Sequence, residues 1–474
     1  MAAAFNSDGA EAIGRALPGP GERGPARSGP LADFYELRRA AAFVRARGLR
    51  KVALQFPDEL LEDAAAVAAR MEEATGAAMY VLGDTSYDSC CVDEVAAEHA
   101  GAQAVVHYGP ACLSPCRRLP VLHVFGRRPL DVERCARAFR QLHPDPRSRA
   151  AVLSDVVYAH AMDELEQRLR PDYPHVVFSR LLCEAEPVPD PDPSLLRQFG
   201  RELPEAGLEG GAVFYVGGEG LPLTNLMLSW NRCAFSSFDP ATGRARRESL
   251  DVNRALRRRL YLVERARDAR AVGILVGTLG VAGYREALRH LRDTLRRAGK
   301  RSYTLAVGKP SPTKLANFPE LDVFVLVACA QNSLLDSHGF YRPVVTPFEL
   351  ELACNPARTW TGSYLTDFRD LLPGGSAHLE FPEVLGAEDE GADVSLITGE
   401  LRAARLGADP VPPASTALAC RSQTLDLAEI SPAASFLESR SWRGLEQHLG
   451  QTPVQKAVEG RRGIAIAYED EACG

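Results

Sequence analysis

Four of the eleven cysteines lie in the first quarter of this 474-residue chain, and three of them are at positions that favour metal ligation. Cys90 and Cys91 follow the apolar run Ala78–Leu82, and Cys112 follows a second apolar run, Ala102–His107. Because the carboxyl ends of parallel strands meet at one edge of a sheet, we expect these three thiols to share that edge. Thiols in loops just before helix N-termini have lowered pKa values and bind metals as thiolates.

The spacing of these cysteines differs from that of a zinc finger. Cys90 and Cys91 are adjacent, about twenty residues separate them from Cys112, and no C-x-x-C pair occurs on either side. Iron–sulfur sites also need several converging thiolates but accept ligands that are scattered along a chain. Buried cysteines that merely act as small apolar side chains are the alternative, and these residues alone leave both interpretations open.

Composition narrows the class of protein. The chain is 46% hydrophobic with a net charge of −7, which argues against a nucleic-acid-binding role. Neither a signal sequence nor an apolar run of the roughly twenty residues needed to cross a bilayer is apparent. We therefore expect a soluble cytoplasmic protein without membrane or direct nucleic-acid partners. In that setting, eleven cysteines are typical of free thiols or metal ligands rather than disulfides.

The elements that must position the thiols repeat along the chain as strand, loop and helix. This alternation predicts an α/β fold with three homologous βαβ-type domains, whose parallel-sheet cores surround a central site. The expected boundaries are residues 31–149, 150–268 and 269–372. Residues 1–30 and 373–474, rich in Gly, Ala and Pro, predict a disordered lead-in and a largely mobile C-terminal extension.

The third predicted domain supplies a distant thiol. Cys329 ends the run LDVFVLVAC, so it occupies nearly the position that the Cys90 and Cys112 loops occupy in the first domain. If the domains pack around one centre, Cys329 meets the first-domain thiols. Cys354 is the main rival, but its sequence predicts a helix and packing. The other cysteines are interpreted as structural, namely Cys116, Cys135, Cys183, Cys233, Cys420 and Cys473.

Two further features could carry chemistry. GTLGVAG, Gly277–Gly283, follows a strand and opens a helix, where backbone N–H groups could bind a phosphate. It lacks the G-x-G-x-x-G spacing, and a tight turn without a ligand is at least as good an interpretation. His107 lies within an apolar strand, which favours a core histidine over a metal ligand.

The segments DTSYDSCCVDE, HYGPACLS, GTLGVAG and VACAQNSLLDSHGFYRPVVTPFELELA together resemble the diphthamide-synthesis family, the 2-(3-amino-3-carboxypropyl)histidine synthases. The resemblance covers Asp33 to Leu372 and is strongest to the second subunits of eukaryotic heterodimers. It implies three α/β domains around a [4Fe–4S] cluster. It also implies a radical reaction that moves a 3-amino-3-carboxypropyl group from S-adenosylmethionine to a histidine of elongation factor 2.

Catalytic members of that family take one cluster cysteine from each domain. By the resemblance, Cys90 matches the first-domain ligand and Cys329 the third-domain ligand. The second domain departs from the pattern, because Gly217 or Gly218 stands where the cysteine is expected, and Cys233 lies too far along the chain. We therefore do not expect this chain to catalyse the reaction alone.

With that ligand missing, Cys112 is the nearest third thiolate, and Cys91 is a substitute or a fourth ligand. Such a cluster implies an accessory role: reduction of the cluster of a homologous catalytic subunit 1, which binds most of the S-adenosylmethionine. A small iron-binding electron donor and elongation factor 2 are the other implied partners. Two alternatives remain, a structural subunit whose thiols bind zinc or nothing, and an independent transferase that uses GTLGVAG as its cofactor loop.

Overall fold

A computed structural model of the chain describes most of residues 29–399 and two short strands near the C-terminus. The described ranges are 29–83, 89–116, 118–182, 195–204, 211–248, 252–335, 339–382, 394–399, 463–464 and 467–468. The chain forms two compact units, Met1–Pro410 and Val411–Gly474. The predicted lead-in (1–30) and most of the predicted mobile extension (373–474) lie outside the described residues, so both stay predictions.

The first sheet has four parallel strands in the order β2-β1-β3-β4. Its strands β1 and β3 are short apolar runs with buried interiors, typical of central parallel strands. Gly76, at φ 70°, ends the helix Ala64–Thr75 in the left-handed conformation that glycine adopts easily. The elements are α1 (Leu31–Phe34), α2 (Leu37–Ala46), β1 (Lys51–Gln55), α3 (Ala64–Thr75), β2 (Ala78–Leu82), α4 (Glu94–His99), β3 (Ala104–Tyr108) and β4 (Val121–Val124).

The second sheet has four parallel strands in the order β11-β10-β5-β6, with β12 antiparallel at one edge. A separate three-stranded antiparallel sheet, β7-β9-β8, lies in the same part of the chain and was not predicted. The elements are α5 (Val132–Leu142), β5 (Ala150–Ser154), α6 (Met162–Leu169), β6 (Val177–Phe178), β7 (Arg180–Leu181), β8 (Leu195–Gln198), β9 (Arg201–Pro204), β10 (Ala212–Val216), α7 (Leu221–Ser229), β11 (Ala234–Asp239) and β12 (Arg244–Arg247).

The third sheet again has four parallel strands, in the order β14-β13-β15-β16. Strand β15 is buried along its whole length, as its unbroken apolar sequence VFVLV predicts. The elements are α8 (Val252–Asp268), β13 (Ala271–Val276), α9 (Tyr284–Arg297), β14 (Arg301–Leu305), α10 (Pro312–Leu315), β15 (Val323–Val327), β16 (Val344–Val345) and α11 (Pro347–Cys354).

The parallel strands of all three sheets share one topology. In each, the first strand along the chain lies between the second and the third, and the fourth lies outside the third. The carboxyl ends of the first and third strands therefore mark the point where the strand order reverses, which is where open α/β sheets place ligands. The predicted α/β fold with several parallel-sheet cores is confirmed.

A helix precedes the first strand of each sheet and packs against that sheet. Helix α5 places Cys135 and Phe139 in one core with Val152 and Phe214 of the second sheet. Helix α8 packs in the same way against the third sheet. The domain boundaries proposed from the sequence fall after these helices and stay a prediction. No helix in the described part of the chain is long and apolar enough to span a bilayer.

Candidate metal centre

Four cysteine side chains meet in the core beneath the third sheet. Cys90 and Cys91 lie in the connection between β2 and α4, Cys112 lies four residues after β3, and Cys329 lies two residues after β15. Each is less than a tenth exposed, and Cys329 is only 1% exposed. The structure thus brings together Cys90, Cys112 and Cys329, the three residues predicted as ligands, with Cys91, predicted as a substitute or a fourth ligand.

The sulfur atoms are close enough to bind one centre. The Cys90 sulfur lies 3.9 Å from that of Cys329 and 4.0 Å from that of Cys91. The Cys91 sulfur lies 3.8 Å from that of Cys112. All four sulfurs lie within 4.8 Å of one another. Four buried thiols at these distances have the composition of a site for a thiophilic metal or an iron–sulfur cluster.

The four thiols differ in pKa. Hydrogen bonding with Cys329, and then with Cys90 and Cys91, holds the pKa of the Cys112 thiol well below its ordinary value. Hydrogen bonding with Cys112 is also the main cause that raises the pKa of the other three thiols. Without a cation, the group therefore favours one thiolate and three thiols. A bound cation would compensate the charge of four thiolates.

Gln55, at the end of β1, fixes the chain around Cys91. Its side-chain N–H donates to the Cys91 carbonyl at 2.8 Å, and its side-chain oxygen accepts from the Asp93 N–H at 2.9 Å. The Cys112 backbone N–H also donates to the Cys90 carbonyl at 3.0 Å. Since Gln55 is 1% exposed, water does not compete for these bonds. Both cysteine loops of the first sheet are thus held by hydrogen bonds.

Two histidines lie side by side behind these loops. His107 on β3 pairs with His123 on β4, and the His107 ring hydrogen-bonds the Ser89 carbonyl at 3.0 Å, one residue before Cys90. Burial lowers the pKa of both rings, to about 3 for His123, so both are neutral. Among the described residues the candidate ligand group contains cysteines alone. His107 accordingly lies in the core and supports the Cys90 loop.

The glycine-rich loop Gly277–Gly283 packs against both cysteine loops. A Cβ atom on Gly280 would lie 2.2 Å from the Val92 carbonyl oxygen, so only glycine permits this approach. The Ala282 N–H donates to the Pro115 carbonyl at 3.0 Å. A backbone carbonyl and a backbone hydrogen bond thus occupy the loop where a phosphate would need free N–H groups. The geometry favours the interpretation as a turn without a ligand.

The turn that carries Cys329 is anchored by helix α7, which packs against the second sheet. Asn225 on α7 donates from its side-chain amide to the carbonyls of Ala330 at 3.2 Å and Gln331 at 2.7 Å. The Asn225 side chain is 1% exposed. The part of the chain that forms the second sheet gives no sulfur to the group. Its helix α7 nevertheless holds the turn that carries Cys329.

Replacing Asn225 with alanine should lower the free energy of unfolding by about 2 kcal/mol, because two buried carbonyls lose their donor. Chemical denaturation followed by circular dichroism measures this difference. Asn317→Ala is the matched control, since the Asn317 amide bonds neighbouring carbonyls on an exposed turn. Equal stability losses in the two variants would contradict an anchoring role.

At the corner of the second sheet where a third cysteine ligand is expected, a side chain would clash at Gly217 but has room at Gly218. A Cβ atom on Gly217 would lie 2.7 Å from the Tyr215 ring, whereas the nearest atom to a Cβ on Gly218 is an Asp239 oxygen at 3.9 Å. Cys233 immediately precedes β11 and so lies at the amino end of its strand. Neither position supplies a thiol to the group.

A cavity of about 410 Å³ lies beside the Cys112 loop, and its size suits a small molecule. Leu113 lines both this cavity and the small space among the sulfurs, while none of the four cysteines lines the cavity. Leu113 has φ 55°. It packs closely against Gly200, because a Cβ atom on Gly200 would lie 2.2 Å from the Cβ atom of Leu113. The thiols are therefore closed off from the cavity by the residue that follows Cys112.

The remaining described cysteines lie outside the four-sulfur group. Burial raises the pKa of Cys135 to about 12 and that of Cys354 to about 11, so both are protonated thiols. Cys116 lines the small space among the sulfurs and is partly exposed. Three cysteines interpreted as structural lie outside the described residues, namely Cys183, Cys420 and Cys473.

Comparison with known proteins identifies the family. Residues 56–365 match the family model described as "Putative diphthamide synthesis protein". The chain belongs to the diphthamide synthesis family. This match spans all four cysteines of the group, and it confirms the resemblance that the sequence motifs predicted.

Several curated relatives of this chain carry the same name. A protein from Gallus gallus named "2-(3-amino-3-carboxypropyl)histidine synthase subunit 2" is 69% identical, over 99% of this chain and 99% of its own. Proteins of the same name from Xenopus laevis and Homo sapiens are 56% and 52% identical, and cover 100% and 94% of this chain. Their own chains are covered to 99% and 95%. The predicted similarity to the second subunits is thus confirmed.

Solved structures of the diphthamide synthesis family share the fold. Dph2 from Pyrococcus horikoshii is 20% identical and matches with a TM-score of 0.52, over 70% of this chain and 94% of its own. A second structure of that protein, titled as containing a 4Fe-4S cluster, gives a TM-score of 0.53 at 19% identity, over 70% of this chain and 92% of its own. At this identity the likeness establishes the α/β architecture.

Proposed function

We propose that this chain is the accessory subunit of the enzyme for the first step of diphthamide biosynthesis. That step transfers a 3-amino-3-carboxypropyl group from S-adenosylmethionine to a histidine of elongation factor 2. The observation that carries the proposal is the convergence of four buried sulfurs within 4.8 Å, in a family whose curated relatives are named as synthase subunit 2. This chain would hold an iron–sulfur cluster that supports reduction of the cluster in the catalytic partner.

By the type of their donor atoms, the residues present fit such a cluster. The donors are four thiol sulfurs, the ligands that iron–sulfur clusters take, and they are buried where water does not reach freely. Cys90, Cys112 and Cys329 would be ligands, with Cys91 as the fourth. A [4Fe–4S] cluster supplies one-electron transfer at a potential that its surroundings set. Four protein thiolates would leave no iron open to S-adenosylmethionine, which suits electron transfer rather than catalysis.

The second sheet supports the same division of roles. Glycine stands at both candidate positions, Gly217 and Gly218, so that corner supplies no thiol, and the Tyr215 ring occupies the place that a side chain at Gly217 would need. Under this proposal, the homologous subunit 1 binds most of the S-adenosylmethionine and performs the transfer. A small iron-binding protein in the cytoplasm supplies electrons to this chain, and elongation factor 2 is the substrate of the assembled heterodimer.

Anaerobic iron and sulfide analysis, with EPR of the reduced protein, tests the proposal. The chain is expressed together with a subunit 1 variant that has lost its own cluster cysteines, so any signal comes from this chain. We expect four irons and four sulfides per chain and a reduced-cluster signal. Protein without iron would overturn the electron-transfer role.

A structural zinc site is the second candidate, and the sulfur spacing favours it specifically. A single tetrahedral ion with metal–sulfur bonds of about 2.3 Å has sulfur–sulfur distances of about 3.8 Å. The closest pairs here are 3.8, 3.9 and 4.0 Å apart. One zinc per chain without sulfide, in anaerobically prepared protein, would select this alternative, in which the chain completes and stabilises the heterodimer.

Metal binding to the apo chain should release about three protons per ion at neutral pH. The pKa of Cys112 is lowered, so it is already ionised, whereas the raised pKa values of Cys90, Cys91 and Cys329 keep those thiols protonated. Affinity for Co²⁺ or Zn²⁺ should therefore rise by about a thousandfold per pH unit. Calorimetry in buffers of different ionisation enthalpy counts the protons. Release of close to four would show that Cys112 is also protonated before binding.

A further inference from the structure

Asn332 contacts the sulfur of a proposed ligand from the opposite side of the site. Its side-chain amide N–H donates to the Cys90 sulfur at 3.1 Å. Resting on the proposed function, we propose that this hydrogen bond sets the reduction potential of the cluster, so that Asn332 is a positioning residue that keeps the cluster reducible. The class of group it acts on is a thiolate-ligated iron–sulfur centre.

The chemistry of the two groups fixes which end of the amide faces the sulfur. A ligating cysteine is a thiolate, which can only accept hydrogen bonds. The amide oxygen of Asn332 is also an acceptor and would repel it, so the nitrogen must face Cys90. A flip of the Asn332 side-chain amide would turn its oxygen toward the Cys90 sulfur. Such a flip is therefore unfavourable once Cys90 ligates a metal.

The backbone holds Asn332 in this position. Its own N–H donates to the Cys329 carbonyl at 3.0 Å, which closes a tight turn from Cys329 to Asn332. Asn225 fixes the two residues within that turn by bonding their carbonyls. The turn that delivers one ligand thus also delivers a hydrogen-bond donor to another ligand, although 242 residues separate Asn332 from Cys90. The turn thus fixes the backbone from which the Asn332 side chain reaches Cys90.

The hydrogen bond must act differently on the two redox states. One electron that enters from the donor protein increases the negative charge on the cluster and on its ligand sulfurs. An N–H···S bond becomes stronger as the sulfur becomes more negative, so the reduced state gains more stabilisation than the oxidised state. The Cys90 side chain is buried and Asn332 is partly buried, so the bond lies where competition from water is reduced. Asn332 itself neither gains nor loses an electron.

Substitution of Asn332 should shift the midpoint potential without removing the cluster. Asn332→Leu keeps the volume and removes the donor, and Asn332→Asp keeps the shape but adds a negative charge. We expect the potential to fall in the order wild type, Asn332→Leu, Asn332→Asp. For Asn332→Leu, a tenfold loss in the reduction equilibrium corresponds to about 59 mV for a one-electron couple. EPR-monitored redox titration of the heterodimer, with cluster cysteines of subunit 1 substituted, measures the shift.

Asn317→Leu is the matched control, because it removes an amide that bonds only to exposed backbone carbonyls. Its potential should equal that of the wild type. An unchanged potential in fully loaded Asn332→Leu and Asn332→Asp would overturn the inference and leave the proposed function standing. Loss of iron from both would assign Asn332 to holding the Cys90 loop and would also overturn it. A wild-type chain without iron would instead mean that the proposed function fails.

Discussion

Cys329→Ser should abolish cluster loading of this chain while leaving its fold intact. Cys329 is the residue through which the third sheet reaches the sulfur group, and its sulfur lies 3.9 Å from that of Cys90. A serine hydroxyl has nearly the same volume but is a much harder, more basic ligand that does not replace a thiolate. The wild-type chain should contain about four iron atoms. We expect the variant to lose more than about nine-tenths of this iron on anaerobic purification. Iron analysis and the visible absorption of the cluster measure the loss.

The control for this substitution is another buried cysteine of the same part of the chain. Cys354, on α11, is 8% exposed and lies outside the four-sulfur group. Cys354→Ser should therefore cost some stability but retain full iron. Circular dichroism confirms that both variants are folded. Full iron in folded Cys329→Ser would eliminate Cys329 as a ligand, and equal iron loss in both variants would point to a general effect on folding.

Much of the frame of this site is predictable from local sequence pattern. The run Ala78–Leu82 forms β2 with the predicted bounds, the run Ala102–His107 contains most of β3 (Ala104–Tyr108), and the run that ends at Cys329 contains β15. Short apolar runs followed by loops and amphipathic helices specify parallel sheets strongly, because central strands such as β3 and β15 are buried on both faces. A cysteine just after such a strand is then placed at the carboxyl edge by topology alone. Cys112 and Cys329 follow from that argument.

The groups that support the thiols could not be predicted in this way. Gln55, Asn225 and Asn332 are amides, which occur mostly on protein surfaces, and no period or spacing distinguishes them from solvated residues. Their roles depend on contacts between segments far apart in sequence, such as the bonds from Asn225 to residues 105 and 106 positions away. The β7-β9-β8 sheet was missed for a related reason. Its strands have two to four residues, too few for a period of two to be recognised.

The three sheets contribute unequally to the centre although they share one topology. The first supplies three sulfurs, the third supplies one, and the second supplies Asn225, which holds the turn of Cys329. At the corresponding corner of the second sheet both candidate positions, Gly217 and Gly218, lack a side chain. Because the topology is repeated, each of the three sheets has a possible ligand position at its carboxyl edge. The residue type at each position determines whether it can bind a metal. This asymmetry is what separates an electron-carrying role from catalysis in our proposal.

Gly280→Ala should disturb the cysteine loops more than any other single methyl group added in the glycine-rich loop. The new Cβ would lie 2.2 Å from the Val92 carbonyl oxygen, and a backbone atom cannot move aside as a flexible side chain can. Val92 directly follows Cys91, so relief of the clash displaces a proposed ligand. We expect the free energy of unfolding to fall by about 3 kcal/mol. Denaturation and iron analysis of the same preparation measure both consequences.

The control is Gly339→Ala, because a Cβ on Gly339 would have no atom within 4 Å and its backbone is not in the left-handed region. That variant should match the wild type in stability and iron content. Because the clash lies at the cysteine loop, Gly280→Ala should lose iron under conditions in which the remaining fold is still intact. Full iron and full stability in Gly280→Ala would show that the loop accommodates a methyl group at Gly280. The inference that this close contact with Val92 fixes the position of Cys91 would then be wrong.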